Sequence, residues 1–431
     1  FNAILTYGME TAFFRFFTKE KEKGKVISTA FLSLLTTTLL FMLVSFIFSD
    51  TIALHLGFTS SLTLRILILV TTFDTLLVIP FAYLRVSNRP IKFTFYKVLN
   101  VVIFAIFNLY FLLYVPNALE YGNYVPEFIA AGFETQPLVF YIFIANLLAS
   151  LVTFLLLFPL VFKFKISFDK KMLYKMLTYG IPIMISSLAY VTNENLDKLL
   201  LSKYLGKEQM GIYAACYKLG VFMSLYIMAF KMGAEPFFFN QADKVNAKQT
   251  YARIMNWFIV FGALFMLIII GFIDLFALLL LGKPEYFQAL EIVPVILLAN
   301  LFLGVYYNLS VWFKLTDKTK YGMYFSILGA IITVGLNIVY IPKIGYMASA
   351  WATLITYMFI ALLSYFYGKK YYSIPYPLKT IFLTLIVTIA GSYLSFIYFR
   401  GNYIVSTAII LVFTGTILWT QKSEIKQIWK T

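Results

Sequence analysis

Apolar residues run through this chain in long blocks separated by short polar clusters, and the blocks recur from one end to the other. Blocks of ~18 residues or more can cross about 30 Å of hydrocarbon as helices. The blocks and their polar breaks predict thirteen spans, at 1–17, 26–49, 62–84, 96–115, 138–162, 177–202, 210–233, 254–281, 290–313, 321–341, 346–368, 377–398 and 402–420. Most connections are too short to hold a domain. The longest, 116–136, contains Pro116, Gly122, Pro126 and Gly132 and is expected to be an irregular external loop.

Alternating the connections between the two sides of a bilayer sorts the basic residues. One side receives 25, in clusters such as Lys19 to Lys25, Arg85 to Lys97, Lys163 to Lys175 and Lys314 to Lys320; the other receives five, Lys203, Lys207, Lys283, Lys343 and Arg400. Positive charge accumulates on the cytoplasmic side, so the first side, and with it the C-terminus, is expected there. A single missed helix would scramble this pattern downstream. Phe1 opens directly into an apolar segment without a basic leader, so one N-terminal helix is expected to be missing, for fourteen in all.

Composition agrees. Of 431 residues 61% are hydrophobic, 19% aromatic and only 13% charged, with a mean hydropathy of +0.85. The expected fold class is therefore an all-α polytopic membrane protein. A net charge of +16 could suggest nucleic acid, but the charges sit between spans and not on one basic domain, which excludes that partner. One cysteine, Cys216, and one histidine, His55, leave no disulfide framework, metal site or histidine triad. No phosphate-binding glycine loop is present either, so no cofactor and no enzymatic activity are expected.

The chain also echoes itself. "YGMETAFFRF" from Tyr7 is answered by "KMGAEPFFFN" from Lys231, pairing Gly8 with Gly233, Glu10 with Glu235 and, with one residue inserted, Phe13 and Phe14 with Phe237 and Phe238. "YLRVSNRPIKFTFYK" from Tyr83 is answered by "WFKLTDKTKYGMYFS" from Trp312, pairing Arg85 with Lys314, Asn88 with Asp317 and Asn108 with Asn337. The two echoes lie 225 and 229 residues apart. That shared offset predicts a tandem duplication of a six-helix unit, hence two pseudo-symmetric lobes around a central cleft. The expected division is 1–168, 169–370, and 371–431 for two additional helices with a short tail.

A charge in hydrocarbon costs about 2.5–3.5 kcal/mol, so each embedded one needs a partner, a cavity or a route to the interface. The densest group is "YVTNENLDKLL" from Tyr190, where Asn193 and Asp197, and Glu194 and Lys198, are one helical turn apart. It is either a helix end with snorkelling side chains or a polar wall on the cleft. A tight turn near Gly206 brings Lys218 to the depth of Asp197; Lys218 then either pairs with it or faces the cleft. Lys231 and Glu235 can pair at i,i+4, and Arg15 can snorkel. Asp74 has no evident local partner and is the best candidate for a titrating carboxylate, with a helix–helix hydrogen bond as the plainer alternative.

The stretch "YGIPIMISSLAYVTNENLDKLLLSKYLGKEQMGIYAACYKLG" from Tyr179 resembles the start of the second lobe in polysaccharide-biosynthesis flippases of the multidrug/oligosaccharidyl-lipid/polysaccharide exporter (MOP) superfamily. The resemblance rests on Gly180, Pro182, Asp197, Lys198, Leu205, Gly206, Gly211 and Tyr213. It implies alternating-access transport of undecaprenyl-diphosphate-linked oligosaccharide in a bacterial cytoplasmic membrane, for O-antigen, capsule or exopolysaccharide. It further implies proton or sodium coupling and contact with membrane lipids, a polysaccharide polymerase and glycosyltransferases. Arg15, Lys198, Lys218 and Lys231 become candidates for the diphosphate, Tyr190, Tyr213, Tyr217, Asn193 and Asn195 for the sugars, and Asp74, Glu194, Asp197, Glu10 and Glu235 for coupling or gating. The alternatives are a drug/cation antiporter, which would favour an acidic cleft, a lipid II flippase, and a non-transporting scaffold for glycan synthesis.

Overall fold

The computed structural model describes residues 2–56, 60–161, 163, 165–282 and 284–421. They form helices, with no strand among the described residues. In hydrocarbon a helix satisfies all of its own backbone groups, so this is what the hydropathy pattern requires. The chain divides into two compact units, Phe1–Met184 and Ile185–Thr431.

In the first unit the helices are α1 (Asn2–Thr6), α2 (Met9–Lys19), α3 (Lys23–Ile47), α4 (Ser49–Leu56) and α5 (Ser61–Val86). They continue with α6 (Pro90–Glu120), α7 (Glu127–Thr135), α8 (Leu138–Val161) and the start of α9 (Lys170–Gln241). The expected span 1–17 is broken, because Tyr7 and Gly8 take positive φ, 33° and 71°, and separate α1 from α2. A side chain on Gly8 would stand 2.2 Å from the carbonyl oxygen of Gly180, and one on Gly180 would stand 2.8 Å from that of Tyr7. Two backbones touch here, so each position requires glycine. The segment 116–136 is mostly helical, contrary to the expected irregular loop. A π turn at Tyr110–Tyr114 leads into Val115–Glu120, which places Pro116 where its missing N–H costs little. Outside the spans, Asp169 starts α9: its Oδ1 accepts the N–H groups of Lys171 at 2.8 Å and Met172 at 3.0 Å. Those bonds, Met172's foremost, hold its carboxyl below the usual carboxylate range.

The second unit holds the rest of α9, then α10 (Ala247–Gly271), α11 (Ile273–Leu281) and α12 (Ile292–Leu315). It ends with α13 (Lys320–Ile344), α14 (Met347–Tyr371), α15 (Leu378–Tyr398) and α16 (Tyr403–Thr420). Its core runs along α10, α12 and α14, where Phe258, Met266, Ile296, Leu301 and Tyr357 are buried. Two thirds of the α10 and α12 spans are buried against 17% for α16, which makes α16 peripheral.

Eleven described helices are long and apolar enough to cross a membrane. One of them, α9, is two crossings, because Gly206 (φ 87°, ψ 169°) interrupts it and the arms run antiparallel, residue 197 facing 213 and 194 facing 217. With α9 counted as two, twelve of the thirteen expected spans fall on such helices, while the first, 1–17, falls on α1 and α2, which are 5 and 11 residues long.

Candidate functional site

The spacing of Tyr190, Asn193, Glu194, Asp197 and Lys198 puts all five on one side of the first α9 arm. Across the hairpin, Tyr213 and Tyr217 repeat the one-turn interval. Asp197, 2% exposed, accepts hydrogen bonds from the Tyr213 hydroxyl at 2.7 Å and the Lys198 backbone N–H at 2.7 Å. The Lys198 ammonium stands 3.6 Å from the same carboxylate. Glu194 accepts the hydroxyls of Tyr217 at 3.0 Å and, from α14, Tyr357 at 2.8 Å; Tyr190 and Tyr307 lie beside it. Lys198 also donates to the Glu194 carbonyl and lies 4.5 Å from the centre of the Tyr217 ring. Two carboxylates and one ammonium give the cluster a formal charge of minus one. Asn193 adds a buried Oδ1 with no hydrogen-bond partner.

One expected contact is replaced, and of the two readings of Lys218 the pairing is not formed. Lys198 does not meet the Glu194 carboxylate, which turns to the tyrosines, and Lys218 does not meet Asp197. With the turn at Gly206, Tyr213 takes the place facing Asp197, and Lys218, one residue past Tyr217, is rotated onto the exposed face of the arm. Asn195 is also exposed and donates to the Val191 carbonyl at 2.8 Å. Of the sugar candidates, Tyr190, Tyr213, Tyr217 and Asn193 are therefore gathered in the cluster, and Asn195 is not. Tyr357, a lone tyrosine in an apolar stretch, carries no signal in the sequence, and only folding brings it to Glu194.

The echoed acids both find echoed cations. In the first unit Glu10 pairs with Arg85, whose guanidinium also lies 4.9 Å from the Phe14 ring centre and 5.9 Å from that of Phe93. In the second, Glu235 pairs with Lys314 at 2.8 Å, while Lys231 stands 4.8 Å from the Tyr307 ring centre. The residues after the two cations agree as well: Asn88 and Asp317 have φ of 52° and 59°. One detail of the echo needs correcting. Phe13 and Phe14 are fully buried, Phe238 and Phe239 are 6% and 4% exposed, and Phe237 is 42% exposed. Burial matches Phe13 with Phe238 and Phe14 with Phe239, at the same 225-residue offset as the glycines and acids, so the echo needs no inserted residue in either copy.

Asp74 has a partner after all: its Oδ1 accepts the Ser150 hydroxyl of α8 at 2.7 Å. Lys97 lies within electrostatic reach of both Asp74 and Glu10, so the first unit carries an alternating run Asp74, Lys97, Glu10, Arg85. Arg15 is half-buried on α2. Among the described residues no group of three or more His, Cys, Asp or Glu is placed to hold a metal ion.

The family described as "Polysaccharide biosynthesis protein" matches residues 1–241, more than half of the chain. The chain belongs to that family. A second family, described as MatE, matches residues 182–339. No curated protein matches the sequence significantly. Among solved structures, a MATE transporter in complex with MaD3S superposes with a TM-score of 0.70 at 14% identity, covering 86% of this chain and 83% of that one. A Vibrio cholerae MATE transporter gives 0.69 at 14%, covering 86% and 84%. A MOP superfamily transporter from Pyrococcus furiosus gives 0.67 at 14%, covering 86% and 83%. At this identity the likeness is one of fold. Family and fold together make this member of the polysaccharide biosynthesis protein family a multi-pass membrane protein with the fold of the MATE and MOP-superfamily transporters.

Proposed function

We propose that the protein carries undecaprenyl-diphosphate-linked oligosaccharide from the cytoplasmic to the outer leaflet of a bacterial cytoplasmic membrane by alternating access, for surface polysaccharide synthesis. The observation that carries this reading is the family match over residues 1–241. The exposed ammonium of Lys218 inside a membrane-crossing arm supports it. An exposed cation at that depth needs water or an anion beside it, and a diphosphate head group supplies the anion. In this reading the 25-to-5 bias of basic residues keeps the C-terminus cytoplasmic, residues 1–168 and 169–370 act as the two lobes, and 371–431 add two helices. Lys218→Ala is expected to abolish surface-glycan export while the protein level stays normal. Normal glycan in that variant would remove Lys218 from the substrate path.

A second reading, export of cationic drugs, is favoured by the MatE match and by the minus-one charge around Glu194 and Asp197. The Pyrococcus furiosus neighbour is described as having a binding pocket of reversed polarity that suggests a different function. Efflux of a cationic dye from reconstituted vesicles separates the readings: dye movement driven by sodium or protons would favour the antiporter. In either case Glu194, Asp197 and Asn193 are the groups proposed to take the coupling cation. Glu194→Gln is then expected to abolish ion dependence, and unchanged ion dependence would rule the cluster out.

A further inference from the structure

A cavity of about 280 Å³ lies in the second unit between α10, α15 and α16, away from the Glu194 cluster. Its lining is graded. Lys379, Thr380, Thr420 and Gln421 stand at one end, and Val387 and Phe413 at the other. Along α15 the lining positions follow the i, i+4, i+8 interval of one helix face, so the passage from charged to apolar takes about 12 Å. The floor comes from Asn256 of α10, whose Nδ2 donates to Gln421 Oε1 at 3.0 Å. That bond leaves Asn256 Oδ1 and Gln421 Nε2 buried without partners, one acceptor and one donor. Both side chains are deeply buried, 2% and 4% exposed. Exchanging the two amide orientations would still leave one of each.

From this arrangement we infer a binding site for a glycerophospholipid with a phosphoglycerol head group. The Lys379 ammonium meets the phosphodiester, the Gln421 amide N–H donates to a phosphate oxygen, and Asn256 Oδ1 accepts a glycerol hydroxyl. The acyl chains leave past Leu383, Val387 and Phe413. No lining residue is Asp or Glu, so a cationic ligand gains nothing there. The apolar end gives a small soluble anion nothing to bury, whereas an amphipathic ligand satisfies both ends. The site is independent of what the protein transports.

The test uses the full chain purified in mild detergent from membranes containing phosphatidylglycerol, with retained lipid measured by mass spectrometry after extensive washing. Lys379→Ala, at an exposed position, is expected to lower retained phosphatidylglycerol about fivefold, the effect of one juxtamembrane charge. Asn256→Leu should lower it too, and Lys203→Ala should leave it unchanged. Retention equal to wild type in Lys379→Ala overturns the proposal even if Asn256→Leu fails to fold. Glycerol 3-phosphate that displaces the lipid at equal concentration overturns it in favour of a free-phosphate site.

Discussion

The first unit ties Glu10 to Arg85 and the second ties Glu235 to Lys314, in matching positions of a duplicated pattern, yet the two ties are buried differently. Arg85 is 10% exposed and Glu10 43%; Lys314 is 14% exposed and Glu235 only 8%. The first tie is a buried guanidinium reaching out to a half-solvated carboxylate, with two aromatic rings beside it. The second has both members largely buried. The echoed positions share a connection between helices, while the environment decides how much depends on it. Buried pairs fail badly when one member is lost, and exposed ones hardly matter.

The sharpest way to break the comparison is to remove each cation. Lys314→Met leaves Glu235, 8% exposed, without that ammonium and is expected to destabilise the protein by about 3 kcal/mol. Arg85→Met leaves Glu10, 43% exposed and open to water, and should cost about 1–2 kcal/mol, ring stacking included. Thermal unfolding in detergent reads both, and equal losses would show that burial does not set the difference. The glycines come next. Gly8→Ala meets both a positive φ and the Gly180 carbonyl and should cost about 2 kcal/mol or more. Its counterpart Gly233 lies in a continuous helix with nothing within 4 Å of a Cβ, so Gly233→Ala should stabilise by up to about 1 kcal/mol. The same sign for both would contradict the helix break at Tyr7–Gly8. Smaller still, Arg85→Lys loses stacking on Phe14 and Phe93, about 0.5–1 kcal/mol.

The smallest effect concerns pH at the entry to α9. The carboxyl of Asp169 titrates below the usual carboxylate range in the folded state, so its capping contribution is complete at neutral pH. It fades as pH falls below the unfolded value of about 4 and through the lower folded value. Hydrogen-exchange protection of the Lys171 and Met172 amides should therefore weaken on acidification in the wild type. Asp169→Asn should flatten that dependence, and an unaltered pH profile would argue against the cap.

The spans and the duplication were legible because both are written in residue type and spacing. Glu10 with Glu235 and Arg85 with Lys314 were aligned by the echo alone, and the fold shows that each aligned acid binds the aligned base. What was hidden depends on rotation about helix axes and on partners far along the chain. Lys218 and Asp197 share a depth, but a side chain's azimuth cannot be read from depth, and Tyr213 faces the acid instead. Asp74 looked isolated because Ser150 lies 76 residues away. The placement of the phenylalanine echo failed for a related reason: Phe237 matches by type, whereas Phe238 and Phe239 match by burial.

Gly206 has a bearing on how the protein is made. With nothing within 4 Å of its missing side chain, only its dihedral angles bend the chain, so the reversal needs no surrounding structure to hold it. The two arms of α9 can then leave the insertion machinery as a prefolded pair. Inserted as such a pair, Glu194 and Asp197 would meet the bilayer with the Tyr217 and Tyr213 hydroxyls already in place, where a lone arm would have to shed its water before meeting either.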